Sequence, residues 1–388
     1  MIKHNAIAMA LPVLLITGAA NAAEVYNKDG NKIDLYGKAE AQRTFSKSKS
    51  DAGDGSVARI GIKGSTQVTD KLTGYGRWEF NMGANGIEVE SGQNTRTRYA
   101  FAGFKFGNYG SLDYGRNMGV VYDGNSFTDA LPLFGGDSMA ATDNFMMGRS
   151  TGLLTYRNTD FFGLVNGLNF ALQYQAKNDS GTRNGRDDVA RQNGDGFALS
   201  STYDLGNGFN VGASYGNSNR TTAQKFGIKS TATTTGVGVL AKGNKAEAWL
   251  VTAKYDKNNV YLAAMYGEAH NLTRFGKSIN NHAMFANKTQ NIELTAQYQF
   301  DFGLRPSIGF VYSKGKDLGK DLADKSMLTA KSSEDLVKYV SVGAFYDFNK
   351  NMGSYAEYQF NLLKDNDFTK KTKLGVDDVF GVGLIYRF

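Results

Sequence analysis

Cysteine is absent from the 388-residue chain, so disulfides and thiolate metal ligands are excluded. A small exported domain often leans on disulfides, whereas a large one need not. Proline is scarce, with three residues, one of them Pro12 near the N-terminus. Histidine is scarcer in effect: beyond the first residues only His270 and His282 remain. Without cysteine, H-E-x-x-H spacing or helical context, they read as loop histidines rather than a zinc site. No local motif pairs either of them with an activated serine, as an outer-membrane hydrolase would need. After the first 22 residues no apolar run is long enough for a transmembrane helix. Dense lysine or arginine blocks are also missing; the charges are scattered, and this speaks against nucleic acid as a partner.

The first segment, "MIKHNAIAMALPVLLITGAANA", has Lys3 at a basic start, an apolar run from Ala6 to Gly18 and an A-N-A ending. It reads as a secretory signal cleaved after Ala22, the alternative being a membrane anchor. Cleavage leaves 366 residues carrying 43 basic and 37 acidic side chains, close to +6. The expected domains are therefore a signal peptide, 1–22, and one folded unit, 23–388.

What fills that unit is alternation. In "LNFALQYQAK", Leu168, Phe170, Leu172, Tyr174 and Ala176 share one face, opposite Asn169, Ala171, Gln173, Gln175 and Lys177. In "NIELTAQYQF", Ile292, Leu294, Ala296, Tyr298 and Phe300 alternate with Glu293, Thr295, Gln297 and Gln299. The C-terminal "FGVGLIYRF" aligns Phe380, Val382, Leu384, Tyr386 and Phe388. Soluble sandwiches alternate too, so the period does not say which face is wet. Aromatics at strand ends and an amide-rich polar face favour a membrane barrel with a water-filled lumen.

Seven short turns separate alternating runs: "TDKL" (69–72), "FGNYGS" (106–111), "FFGLVNGL" (161–168), "DLGNGF" (204–209), "DKNN" (256–259), "DFGLRP" (301–306) and "FNKNM" (348–352). They define fourteen strands, and the runs at 33–45 and at the C-terminus add two. Sixteen is an even number, which lets first and last strands pair antiparallel and leaves an aqueous channel. Long polar loops, 178–195, 220–245 and 315–335, lie between the hairpins. One further segment, about 121–145, lacks alternation and contains "LPLFGGD" (131–137). Pro132 is unsuited to a central strand, and Gly135 and Gly136 permit a sharp turn.

Cations also fall within strand-like segments: Lys38 in "LYGKAEAQ", Arg59 in "VARIGIKG", Arg98 in "TRYAFAG" and Arg149 in "MMGRSTG". A cation on the lipid face near the midplane is costly. Lys38 shares a face with Tyr36, Glu40 and Gln42, opposite Gly37, Ala39 and Ala41, and so is expected in the lumen. Unrelated wall charges are the alternative. The formal dinucleotide fingerprint "GVGVLA" (236–241) lacks a strand–turn–helix context and reads as external loop.

Taken together, "AEVYNKDGNKIDLYGK", "LTGYGRWEFN", "DYGRNMGVVYD", "FGGD", "TYRNTDFFGLVNGLNF", "AQYQFDFGLRPS", "FNKNM" and the terminal "YRF" resemble the trimeric general porins of enteric outer membranes, the OmpF/OmpC/PhoE type. The resemblance covers essentially all of 23–388. It implies an all-β, sixteen-stranded antiparallel transmembrane barrel whose third external loop folds inward, assembled as a homotrimer without cofactor or energy source. It implies passive diffusion of ions and small hydrophilic solutes, and contact with outer-membrane lipid, including lipopolysaccharide, and with the barrel assembly machinery. By motif it places Lys38, Arg59, Arg98 and Arg149 on a basic wall, Glu79 close to that cluster, and Asp129, Leu133 and Asp137 on the facing loop. Glu88 matches a residue that latches onto a neighbouring subunit, with Arg116 and Arg149 as its expected partners. Phe388 matches a C-terminal assembly signal. Leu133 stands where the family commonly has Glu, and Gly148 where the phosphate-limitation branch has Lys. These departures, with the basic net charge, leave the sign of ion selectivity open.

Overall fold

In the computed structural model, which describes residues 23–87, 95–226, 241, 243–276, 284–318 and 333–388, every alternating run is a strand. Sixteen of them form the wall: β1 (Asn31–Ser46), β2 (Val57–Thr69), β3 (Leu72–Gly83), β4 (Arg96–Lys105), β5 (Ser111–Met118), β6 (Arg149–Asn158), β7 (Leu168–Gln175) and β8 (Gly196–Gly206), followed by β9 (Phe209–Asn219), β10 (Lys245–Lys257), β11 (Val260–His270), β12 (Lys288–Tyr298), β13 (Leu304–Lys316), β14 (Glu334–Asp347), β15 (Met352–Asn361) and β16 (Val379–Arg387). Consecutive strands pair antiparallel, and β1 pairs β16 from Lys38↔Arg387 to Ser46↔Val379, so the sheet closes on itself. Two short extra strands, Ala23–Lys28 and Gly53–Asp54, add to β1 without opening an edge. The expected signal peptide, 1–22, lies outside the described residues.

All seven expected short turns join neighbouring strands on one side of the barrel. Asn258 and Asn259, both at positive φ (55° and 62°), make the two-residue link between β10 and β11 that right-twisted hairpins favour. Pro306 lies at the start of β13, where the ladder to β12 begins only at Ser307. A missing N–H costs little there.

The faces are inverted relative to a soluble sheet. On β7, Leu172 and Tyr174 are exposed while Ala171, Gln173 and Gln175 are buried. On β12, Leu294 and Tyr298 are exposed while Asn291, Glu293, Thr295 and Gln297 are buried. Apolar side chains therefore face outward to lipid, and polar ones face in. Near the short turns Tyr298, Phe300 and Phe302 pack edge to face or stacked at 4.8 and 5.2 Å, and Tyr346 meets Phe348 at 5.0 Å. This is the aromatic girdle expected at a membrane interface.

Closure ends on a close approach. Gly37 and Phe388 exchange both backbone hydrogen bonds, at 2.9 and 3.1 Å. The Phe388 ring covers Gly37, leaving Ala39 and Ala41 exposed on that face. A Cβ at position 37 would lie 2.5 Å from Phe388 Cζ and also collide with the Arg59 carbonyl oxygen. Gly37→Ala should therefore cost about 1–3 kcal/mol through overpacking. The checking measurement is the temperature at which the heat-modifiable barrel unfolds on a semi-native gel, expected to fall. An unaltered temperature would mean that Phe388 does not seal the seam at Gly37.

Candidate functional site: the loop-filled lumen

Residues 119–148, the third connection on the long-loop side, enter the lumen, and their backbone groups find partners on its inner wall. Gln173 ties down the root, accepting from Val120 N and donating to the Met118 carbonyl, each at 3.0 Å. Farther along, Thr295 donates to the Thr128 carbonyl at 2.7 Å, Gln297 to Ala130 at 2.6 Å and Tyr261 to Phe127 at 2.5 Å. Buried backbone polar groups must be paired, and a polar wall supplies the pairing. The other side of the loop is apolar. Val120, Val121, Met139, Met146 and Met147 pack against Ala198, Ala246, Ala248, Leu250 and Met265, which point inward from β8, β10 and β11. One part of the barrel interior is thus a close-packed core, and the polar remainder is left as passage.

Two buried carboxylates hold the loop. Glu293, 1% exposed, accepts from Thr128 (2.6 Å), Asn125 (3.1 Å), the Ser138 hydroxyl (2.5 Å) and Ser138 N (3.1 Å). Glu357, also 1% exposed, accepts from Leu133 N at 2.6 Å and Phe134 N at 3.1 Å. Between them the Tyr339 hydroxyl donates to Asp137 at 2.7 Å and accepts from Gly135 N at 2.9 Å. Gly135 and Gly136 turn the chain at φ 100° and 69°, as "LPLFGGD" suggested. Leu131 and Leu133 rest where Gly309 and Gly381 leave the wall bare. Leu133 also packs against Phe345, Tyr355 and Ile385.

Strands β1 to β4 carry the cations. Glu79, 2% exposed, accepts from the Tyr36 hydroxyl at 2.7 Å, from Arg77 at 2.6 Å and from Arg98 at 2.6 Å. Arg59 donates twice to Asn81, each at 3.2 Å, and approaches Glu79 at 3.9 Å. Lys38 pairs with Glu40 on the inner face of β1, as the alternation required. Arg149 donates to Thr142 at 3.2 Å and interacts electrostatically with Arg98, Arg59 and Asp129. Lys38, Arg59, Glu79 and Arg98 thus gather on one wall, with Arg149 beside them. On the loop, Asp129 accepts from the Tyr122 hydroxyl, and Asp137 is exposed.

Arg98 reaches this cluster through a bulge. Glu79 pairs Tyr99 and Phe80 pairs Thr97, so Arg98 is the extra residue on β4. Strict alternation from the buried Tyr99 would have sent it to lipid; the bulge re-aims it. Arg77 was not anticipated. It stacks 4.0 Å over the Tyr99 ring and donates to the Tyr36 hydroxyl at 2.6 Å. Its signal was available, since it lies two residues before Glu79 and so on the same face. Glu293, Tyr339 and Glu357 were also missed as loop anchors, although Glu293 stood on a recognised polar face.

Among the residues expected to join subunits, Arg116 makes a bidentate pair with Asp143 of its own chain at 2.8 and 3.1 Å, and Arg186 approaches the same carboxylate at 3.5 Å. Burial alone would raise the Asp143 carboxyl, but these guanidinium groups hold it below the usual range. Glu88 and His282 lie outside the described residues, as does "GVGVLA" apart from Ala241.

Replacing Glu293 with Ala removes the acceptor of four donors. Each buried donor left unpaired costs about 1–3 kcal/mol. Glu293→Ala should therefore free the loop, giving larger low-frequency noise in single-channel current, with Glu293→Gln intermediate because one acceptor oxygen survives. Parental noise in both variants would show that Glu293 does not hold the loop.

Residues 28–388 match the family described as Gram-negative porin. Over the full length of both chains, the protein is 58% identical to the outer membrane porin F of Xenorhabdus nematophila, 54% to the outer membrane protein F of Serratia marcescens and 54% to the outer membrane porin N of Escherichia coli. The solved Salmonella typhi OmpF complex with daunomycin superposes with a TM-score of 0.81 at 45% identity, covering 94% of this chain and all of that one.

Proposed function

The chain belongs to the Gram-negative porin family, a passive diffusion channel of the outer membrane for ions and small hydrophilic solutes, and we propose that its selectivity is set where the loop acids Asp129 and Asp137 oppose the wall of Lys38, Arg59, Glu79, Arg98 and Arg149. The observation that carries this reading is the pinning of 119–148 inside the barrel by Glu293, Tyr339 and Glu357. A loop so held narrows the polar part of the lumen. Opposed charges across a narrow passage with low-dielectric walls create a transverse field. Polar solutes orient in that field, whereas bulky apolar ones lose hydration without compensation. At ~0.15 M salt the Debye length is about 8 Å, so charges at the narrowing outweigh distant ones and the net charge of the whole chain matters less. The family is one of channels rather than enzymes.

Leu133 belongs to this narrowing as the position that contributes no charge. Leu133→Glu would bring a carboxylate onto a wall formed by Phe345, Tyr355 and Ile385, beside buried Glu357. Uncompensated burial of that charge is unfavourable, so the new side chain turns into the water of the passage. The expected outcome is a higher cation-to-anion permeability ratio and a smaller conductance. Reversal potentials across planar bilayers under a KCl gradient check it. A Leu133→Glu potential equal to that of the parent would remove position 133 from the ion path.

The mature chain is proposed to be 23–388, after removal of 1–22, and to work as a homotrimer in lipopolysaccharide-containing outer membrane. Phe388 is proposed as the residue read by the barrel assembly machinery. The subunit contact is proposed to use Glu88 of one subunit against Arg116 and Arg149 of the next. Exposed ion pairs contribute little, but partly shielded bidentate ones contribute more. Glu88→Gln should lower the temperature at which the trimer dissociates on a semi-native gel. A trimer as heat-stable as the parent would remove Glu88 from the latch.

A further inference from the structure

A cavity of about 350 Å³ opens just above the loop tip, on the long-loop side of the narrowing. Its floor is apolar: Leu133 and Phe134 from the loop, and Val379 from the start of β16. Gln42 and Gln359, whose side-chain amides make no hydrogen bond to the described residues, line its sides. Its rim carries two carboxylates, Asp51 after β1 and Asp377 before β16. The two loops touch there, because Asp51 Oδ2 lies 3.2 Å from where Gly375 would bear a Cβ, two residues from Asp377. Among the described residues neither carboxylate has a lysine or arginine nitrogen within 4.0 Å, whereas thirteen other acidic side chains do. Among the described residues the only polar contact to either carboxylate is a long one, from the Ser50 hydroxyl to Asp51 at 3.4 Å.

We propose that this cavity is a holding site for small organic cations with an apolar or aromatic body. The volume is in the range of small-ligand pockets, which pair an apolar lining with a few placed polar groups. The ammonium would sit between Asp51 and Asp377 and the amides, and the ring would lie on Leu133, Phe134 and Val379. Phe134 offers its face to the ring or to the cation. Leu133 matters twice, as part of the apolar floor and because a carboxylate there would replace that floor. A neutral sugar would leave both carboxylates without a countercharge, and an organic anion would be repelled. The proposal rests on the reading of the chain as a diffusion channel. It deepens that reading by naming a class of solute that pauses before passing.

The test is single-channel recording of the full protein in KCl, with phenethylammonium added on the long-loop side. Phenylethanol and phenylacetate serve as neutral and anionic probes of the same shape. Amine-dependent interruptions of the open-channel current are expected, with none from the other two. The double variant Asp51→Asn with Asp377→Asn should shorten the residence time about tenfold, since two partly exposed charge contacts each contribute on the order of a few-fold. Gly375→Trp, which fills the cavity and keeps both carboxylates, should abolish the interruptions. Equal interruption by phenylethanol, or parental residence times in either variant, would overturn the proposal. Open-channel steps without amine-dependent interruptions would remove the holding site alone. Absence of steps from the parent would remove the channel reading and the proposal with it.

Discussion

No backbone donor or acceptor can face hydrocarbon unpaired, and every other feature of this molecule follows from that constraint. It forces the sheet to close, which the antiparallel pairing of β1 with β16 accomplishes and the Gly37–Phe388 exchange completes. Closure in turn separates two environments. The outward face must be apolar, so Leu172, Leu294 and Tyr298 point to lipid. The polar half of each alternating strand is left to the interior, where Gln173, Glu293 and Glu357 are placed with no obligation to meet water alone. A wall built in this way has hydrogen-bonding capacity to give to a loop.

The loop uses that capacity unevenly. Its apolar residues pack against small side chains on β8, β10 and β11, while its tip is held through Glu293, Tyr339 and Glu357 on β12, β14 and β15. The cations cluster instead on β1 to β4, where Glu79 joins Tyr36, Arg77 and Arg98 in one network. Glu79 keeps adjacent guanidinium groups together without neutralising them all. Arg59 donates to a neutral amide, and Arg149 to a hydroxyl. An excess of positive charge thereby remains on one side of the lumen, with loop carboxylates as its counterpart.

Much of this was legible in the sequence. The seven short turns announced themselves by glycine, asparagine and aspartate, residues that accept the conformations tight hairpins demand, and they counted the strands correctly. Alternation separated the two faces of each strand but could not say which was wet, because a soluble sandwich has the same period. Three things were hidden for physical reasons. The bulge that brings Arg98 to the wall has no local signal; family resemblance placed Arg98 there, whereas parity with Tyr99 alone would have sent it to lipid. The loop anchors act across long sequence separations, Glu293 on Asn125 and Glu357 on Leu133, so no local pattern couples them. Gly37 looks like one of a stripe of small residues with Ala39 and Ala41, yet its smallness accommodates the ring of Phe388. Arg77 is a different case, since its parity with Glu79 was visible and went unused.

Residues 119–148 rest against the inner wall, and this seating is what we propose sets the width of the passage. Because the chain has no cysteine, one engineered pair can test this without background. The Leu133 side chain lies where Gly381 would carry a Cβ, which brings Leu133→Cys and Gly381→Cys within reach of a disulfide. Mild oxidation of the assembled double variant in a planar bilayer should form the cross-link and leave the open-channel conductance at the value of its reduced form, since the loop is already seated there. Failure to cross-link, or a conductance that changes when the bond forms, would contradict the account.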